Sequence, residues 1–201
     1  MLIAIDDIRL FPDRSEEIIP QLVKDKYGIK ITTFRILKKS LDARNKNDIH
    51  WRYRILIDID ESDTAGVLNY YDEVKLYIEP EISLPPGLPR KEKVIVVGAG
   101  PAGLFCALRL IESGMKVLIF ERGKPVEERM RDIEILESEG LLDPESNVLF
   151  GEGGAGTYSD GKLTTRINRP EIDWFYRKLL ENGAPASAAY ESKPHIGTDR
   201  L

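Results

Sequence analysis

Three glycines at one spacing carry the most informative chemistry in the sequence. Gly98, Gly100 and Gly103 stand in V-I-V-V-G-A-G-P-A-G, directly after the β-branched run Val94 to Val97. At this G-x-G-x-x-G spacing each glycine has its own task. Gly98 makes the tight turn out of a strand. Gly100 leaves no side chain between the backbone and a diphosphate, and Gly103 lets a following helix lie close on the strand. Pro101 suits the first helical position, where a missing N–H costs nothing. The intervening amides at Ala99 and Ala102 and the positive end of the helix dipole then face an anion. Glu121 closes the next apolar run, V-L-I-F-E, where a carboxylate accepts hydrogen bonds from an adenosine ribose and repels a ribose 2′-phosphate. This is a dinucleotide cradle that disfavours NADP; FAD and NAD both satisfy it.

A second set of ligand-capable groups lies in F-G-E-G-G-A-G-T-Y-S-D-G-K-L, Phe150 to Leu163. Its glycines, among them Gly153, Gly154 and Gly156 around Ala155, expose backbone N–H groups, and Thr157, Ser159 and Asp160 add side-chain partners. The apolar Val148 to Phe150 and Leu163 at its ends mark a placed loop rather than a loose connection. Lys162 can neutralise a phosphate or a reduced flavin. Of the two histidines, His195 in K-P-H-I-G-T-D is the better placed for proton transfer near neutral pH, with Lys193, Thr198 and Asp199 beside it. A structural role on a strand is the preferred reading over that one. His50, beside Trp51, has no metal-ligand companion, so no metal site is expected.

The elements that must position these groups follow from the pattern. Val94 to Val97 reads as a strand buried on both faces, the residues after Gly100 as a helix stopped by Gly114, and Val117 to Phe120 as a second buried strand. A charged helix runs from Val126 to about Glu139, with its sparse apolar residues indicating a surface position. Pro170 opens an amphipathic helix on which Ile172, Phe175, Tyr176, Leu179 and Leu180 share a face. Pro80 to Lys93, with four prolines, reads as a stiff linker.

Before that linker the chain reads as a module of its own. Met1 to Leu10 is a strand and Glu16 to Tyr27 a helix; Ile29 to Leu37 and Trp51 to Ile59 are two strands. Asp63 to Tyr71 is a short helix and Val74 to Ile78 a last strand. The order β-α-β-β-α-β implies a ferredoxin-like α+β fold. From Lys24 to Arg54 there are ten Lys/Arg against three Asp, with Trp51 and Tyr53 at alternate positions. Such a face resembles base-stacking sheets. The signature that precedes those aromatics in RNA-recognition sheets is missing, so a solvated hairpin or a protein-facing surface is the preferred reading.

The remaining composition narrows the class. The 201 residues are 42% hydrophobic and 31% charged, with a net charge of −5, values of an ordinary globular protein with no global attraction to nucleic acid. No apolar run is long enough to cross a bilayer, and M-L-I-A-I-D-D is not a secretory leader, which points to the cytoplasm. The single cysteine, Cys106, excludes the paired-thiol chemistry of disulfide-reductase flavoproteins and reads as a small core residue.

Three segments carry a family resemblance: K-S-L-D-A-R (Lys39 to Arg44) with the following H-W-R-Y, the V-G-A-G-P-A-G-L cradle ending in E-R-G, and G-E-G-G-A-G-T-Y-S-D-G-K-L with K-P-H-I-G-T-D-R-L. Together they resemble the FAD-dependent dehydrogenases often labelled NAD- or FAD-utilising dehydrogenases. The E-R-G (Glu121, Arg122, Gly123) resembles FAD-binding members of the glutathione-reductase-like superfamily. The resemblance implies FAD, with its diphosphate on Gly98, Gly100, Gly103 and the intervening amides, its adenosine ribose on Glu121, and Gly153 to Thr157, Ser159 and Asp160 near the diphosphate, ribityl chain or flavin ring. It also implies a longer protein, continuing past Leu201 into a substrate region and a late Gly-Asp segment.

The expected architecture is therefore α/β: a ferredoxin-like module over residues 1–84, a Pro-rich linker over 85–92, and an incomplete Rossmann-type FAD-binding domain over 93–201. The expected function is that of an FAD-dependent oxidoreductase, or its N-terminal part, acting on a small molecule, with NAD(H) as a candidate co-substrate. Two alternatives stand beside it. One is an NAD-linked dehydrogenase using the same cradle. The other is a non-enzymatic nucleotide- or RNA-associated protein acting through the basic segment 24–54.

Overall fold

The computed structural model describes residues 1–60, 66–80, 93–163, 165, 167 and 169–197. The chain divides into two compact units, one of Met1–Glu81 with Thr164–Pro194, the other of Ile82–Leu163 with His195–Leu201. Residues 164–194 thus pack with the first unit, whereas the sequence reading assigns them to the second domain. The Pro-rich linker 85–92 lies outside the described residues.

The first unit is built on a four-stranded antiparallel sheet. Its strands β1 (Leu2–Leu10), β2 (Arg35–Asp42), β3 (His50–Asp58) and β4 (Val74–Leu76) lie in the order β2-β3-β1-β4. Helix α1 (Ile19–Tyr27) follows β1, with Pro20 in its first turn and Gly28 closing it at φ 73°. Ile3, Ile5, Ile19, Val23, Ile55 and Ile57 form the core between sheet and helix. The register of β1 on β3 shifts between Ile5 and Ile8, and Asp7 in that bulge has φ 57°. Aspartate tolerates this left-handed conformation better than most residues, and its carboxylate accepts from Arg52 Nε at 2.5 Å and Arg9 Nη2 at 3.0 Å.

One boundary differs from the sequence reading for a physical reason. Ile29 and Ile31 are buried on either side of an exposed Lys30, the alternation of a strand, yet the β2 ladder begins only at Arg35. Side-chain burial alternates there without a neighbouring strand to bond. Residues 66–68 are helical, and the first part of the expected Asp63 to Tyr71 helix lies outside the described residues. The aromatic pair is also not presented as an open face. Tyr53 is 2% exposed, and Lys39 Nζ lies 4.7 Å from the Trp51 ring centroid and 5.6 Å from that of Tyr53. Helix α4 (Glu171–Glu181) follows Pro170 as the pattern predicts. After it, Tyr190 and Ser192 hydrogen bond to the backbone of Lys39, on the edge strand β2.

The second unit holds a parallel pair, β5 (Lys93–Val97) and β6 (Lys116–Phe120), joined by α2 (Pro101–Glu112). Helix α3 (Val126–Glu139) comes next, ended by Gly140 at φ 73°. The expectation that β5 and β6 are buried on both faces is not met. Val96 is buried toward α2, whereas Ile95 is 59% and Val97 84% exposed. A continuous apolar run specifies a strand that can be covered on both sides, and here the face that carries Ile95 and Val97 stays exposed while α2 packs on the strand pair. Cys106 is exposed for a related reason: of the α2 side chains only Ala107 is buried, so the cysteine is not a core residue.

Candidate functional site

The β5–α2 turn gives each of its three glycines a different physical cause. Gly98 has φ 98° and donates its amide to Phe120 O at 2.7 Å, extending the β5–β6 ladder into the turn. Gly103 lies so close to the strand end that a Cβ would collide with the Gly98 carbonyl oxygen, at under 3.0 Å, and touch Val96 Cγ1 at 3.4 Å. At Gly100 a Cβ would meet nothing within 4 Å. The open space lies over Gly100, the position where a diphosphate needs the backbone bare. Gly100 is the N-cap of α2 and Pro101 its first residue. The amides of Ala102 and Gly103 therefore belong to the first turn, which has no intrahelical acceptors to offer them.

Glu121 sits at the end of β6 and is tied back to this turn. Its Oε2 accepts from Ala99 N at 2.6 Å and its Oε1 from Gly123 N at 2.9 Å. These two backbone hydrogen bonds, that from Ala99 first, hold its carboxyl below the usual carboxylate range, so it is ionised at neutral pH. An ionised carboxylate has about four lone-pair sites, so hydroxyl donors can still be accepted beside the two amides. Arg122 points into a different arrangement. It makes a two-pronged pair with Glu145 at 2.5 and 2.6 Å, and its guanidinium lies 5.0 Å from the Phe150 ring centroid.

The second glycine-rich stretch comes to the first. Gly153 donates its amide to Ala99 O at 2.9 Å, and a Cβ on Gly154 would lie 3.4 Å from Gly100 Cα and 3.3 Å from Pro101 Cδ. Gly154 to Tyr158 forms a short 3-10 turn. Gly153, at φ 79°, has no room for a Cβ because the Thr157 hydroxyl occupies that space. The Ser159 hydroxyl donates to Gly156 O at 2.8 Å and accepts from Gly161 N at 3.1 Å. Gly123 of the E-R-G turn packs backbone to backbone on Gly151, where a Cβ would fall 2.5 Å from Gly151 N. So Ala99 to Gly103, Glu121, Gly123 and Gly151 to Thr157 form one connected backbone surface.

The third cluster is brought together by a bridge between chain segments far apart in sequence. Lys162 pairs antiparallel with His195, and Ile196 donates its amide to Gly161 O at 3.0 Å. Lys162 Nζ lies 2.6 Å from Asp160 Oδ2, and this hydrogen bond holds the Asp160 carboxyl below its usual range. His195 is exposed in this bridge. Thr198 and Asp199 lie outside the described residues. His50 is buried elsewhere, with Nδ1 3.1 Å from Asp48 O. Among the described residues no group of three or more His, Cys, Asp or Glu side chains is arranged to hold a metal ion. Nor is any described helix long and apolar enough to cross a membrane. An open cavity of about 490 Å³ in the first unit, lined by Asp7, Arg9, Asp25 and Lys26 among others, contains none of the expected site residues.

One residue of the site was missed by the sequence reading. Arg129 on α3 is 0% exposed and donates to backbone carbonyls throughout the second glycine-rich stretch. Nε bonds Asn147 O at 3.1 Å; Nη2 bonds Asn147 O, Val148 O and Gly154 O at 3.0 Å each; Nη1 bonds Glu152 O. The Tyr158 ring centroid lies 4.8 Å from the guanidinium carbon, and a Cβ on Gly151 would collide with the Arg129 stem. The residue stands in a helix dense with charges, V-E-E-R-M-R-D, where nothing local separates it from the neighbouring Arg131.

Comparison with known proteins gives matches to parts of the chain. Residues 93–130 match the family described as FAD binding domain, and residues 2–58 match a domain of unknown function, DUF8436. An uncharacterised protein of Clostridium beijerinckii is 38% identical over 206 aligned positions, which span 100% of this chain and 39% of that protein. A 6-methylpretetramide 4-monooxygenase of Streptomyces rimosus is 38% identical over 98 residues, 47% of this chain and 23% of the monooxygenase. A protein of Escherichia coli K12 named as an oxidoreductase, UacF, is 57% identical over 35 residues, 17% of this chain and 6% of its own length. The chain thus spans about two fifths of the Clostridium relative and less of the other two. The match over residues 93–130 supports FAD binding by that segment, and the two partly matched relatives are named as a monooxygenase and an oxidoreductase.

Proposed function

We propose that this chain is the cofactor-binding N-terminal part of an FAD-dependent dehydrogenase acting on a small molecule. The observation that carries the reading is the join between the two glycine-rich stretches, Gly153 N to Ala99 O, with Gly154 seated beside Gly100 and open space above that glycine. In this reading Gly98 to Gly103 hold the diphosphate through the bare backbone and first-turn amides of α2, and Glu121 accepts from the adenosine ribose. Gly153 to Thr157, Ser159 and Asp160 line the continuation toward the ribityl chain and ring, and Arg122 braces the E-R-G turn through Glu145. The bound flavin supplies the redox chemistry, passing a hydride or electron pair to or from substrate. Lys162 offers a positive charge to that region, and His195, bridged to Lys162, is the candidate for holding or moving a proton. NAD(H) as a co-substrate completes the reading.

The same proposal covers the architecture and setting. The order β2-β3-β1-β4 with all neighbours antiparallel supports a ferredoxin-like first module, and the β5–α2–β6 unit supports a Rossmann-type second domain. Chemistry without a cysteine pair suits the reducing cytoplasm. In the first module, Lys26, Arg35, Lys39, Arg44 and Arg52 each lie within 4.0 Å of a carboxylate. That pairing supports a protein surface there rather than a nucleic-acid face. The decisive experiment is a visible absorption spectrum of the purified protein with identification of the released cofactor. A flavin spectrum and released FAD are expected. Colourless protein that binds NADH would replace this reading with the NAD-linked one.

A further inference from the structure

A guanidinium buried without a carboxylate is an unfavourable choice for stability alone, because desolvation is not offset by an opposite charge. Among the described residues every hydrogen-bond partner of Arg129 is a neutral backbone carbonyl, so its positive charge is left uncancelled. The geometry explains what the choice achieves. The planar fork spans both arms of the second glycine-rich stretch, residues 147–148 and residues 152–154, which no single-headed cation can do. One of its bonds ends on Gly154 O, and Gly154 is the residue that lies against Gly100 and Pro101. The peptide joining Glu152 to Gly153 is held on both sides, its carbonyl by Arg129 Nη1 and its N–H by Ala99 O. A hydrogen-bonded carbonyl polarises its own peptide, so the N–H groups of that arm become stronger donors.

We propose that Arg129 is the positioning residue of the cofactor's diphosphate site. It sets the second glycine loop against the first and supplies, one peptide behind the cradle, a buried positive charge that favours a dianionic diphosphate over a neutral nucleoside. This rests on the FAD reading above and adds the group that discriminates for the anion.

The test uses the whole chain with FAD, ADP and adenosine as probes, read by titration calorimetry, and circular dichroism melting as a control. Wild-type protein that binds FAD, and binds ADP more tightly than adenosine, upholds the FAD reading; wild-type protein that binds neither FAD nor ADP overturns that reading by itself. Given wild-type binding, Arg129→Met, which removes charge and fork together, is expected to lose about tenfold or more in ADP affinity with adenosine binding kept, and Arg129→Lys, which retains the charge without the fork, is expected to lose less. Added ethylguanidinium is expected to restore the ADP preference of Arg129→Ala. An unchanged ADP-to-adenosine ratio in Arg129→Lys and Arg129→Met overturns the assignment. So does loss of both ligands together with the melting transition, which would make Arg129 a residue of the core.

Discussion

The Glu121 carboxylate and the Ala99 amide are 2.6 Å apart, so the acid at the end of β6 fastens the first glycine turn from below while its other oxygen holds Gly123. One side chain thereby fixes the relative position of the G-A-G turn and the E-R-G turn.

Glu121→Gln tests that tie. A carboxamide offers one acceptor oxygen, so one of the two amides loses its partner, at a cost of about 1.5–3 kcal/mol for a charge-assisted bond. The pH dependence has a defined sign. The folded-state carboxyl is held below its ordinary value of 4.5, so its contribution is complete above that value and disappears as pH falls through the folded pKa. Thermal melts of the chain should therefore show a loss of stability on acidification below about 4.5 that is smaller in the Gln variant. Parallel curves for the two proteins would refute the assignment.

Gly100 and Gly103 should separate binding from folding. Gly103→Ala drives a methyl group into the Gly98 carbonyl, and overpacking of this kind costs about 1–3 kcal/mol, so the melting temperature should fall. Gly100→Val places its Cβ in open space at an extended backbone, φ −76°, and should cost only the N-cap difference between glycine and valine, about 1 kcal/mol. It should nonetheless retain no FAD on gel filtration, because in the proposed reading the diphosphate lies where the valine would stand. FAD retained by Gly100→Val at wild-type stoichiometry would remove the cradle assignment.

These contrasts also mark what a sequence discloses. Gly98 and Gly103 were legible because a positive φ and a close approach to the strand end require them at a fixed spacing along one βαβ unit, whereas nothing in the fold itself requires glycine at Gly100. Strands β1 and β3 were legible because strand periodicity is local as well. Arg129 was not, since its partners lie 18 to 25 positions away and its neighbours in the chain are also charged. The contact of Gly153 with Ala99 was likewise hidden, because composition shows that a loop can approach something closely and not what it approaches. The exposure of Val97 and Cys106 was misread for the converse reason: apolar sequence states what a face tolerates, and burial depends on a neighbouring element.

The first unit offers a test at alkaline pH. Tyr53 donates its hydroxyl to Glu16 Oε1 at 3.0 Å, and the same oxygen receives Lys39 Nζ at 2.7 Å. Burial first, and then this bond to a carboxylate, push the phenol up to about 12. Because the folded pKa exceeds the ordinary value of 10, the contribution to stability is complete below pH 10 and is lost as pH rises through about 12. Burial also raises Tyr27, Tyr158, Tyr176 and Tyr190, so ultraviolet titration of the folded chain should show several late-ionising tyrosines, with one fewer near the alkaline end in Tyr53→Phe. That variant should be less stable by about 1 kcal/mol at neutral pH, since Lys39 still neutralises Glu16. A variant whose ultraviolet titration matches the wild type would remove Tyr53 as the source.

Gly123→Ala addresses the joint between the E-R-G turn and the second glycine loop. The added methyl would fall 2.5 Å from Gly151 N and under 3.0 Å from Phe150 C, against backbone that cannot rotate away. Gly151 is itself pressed against the Arg129 stem, so the loop can yield only by moving off its carbonyl contacts with that residue. The expected outcome is a loss of about 1–3 kcal/mol in stability of the second unit, together with weaker FAD binding. Hydrogen exchange should place the change in residues 147–154 and leave β1 and β3 of the first unit untouched. Protection of residues 147–154 equal to that of the wild type would show that the two glycine turns do not need each other. Exchange that rises uniformly along the chain would instead point to global destabilisation.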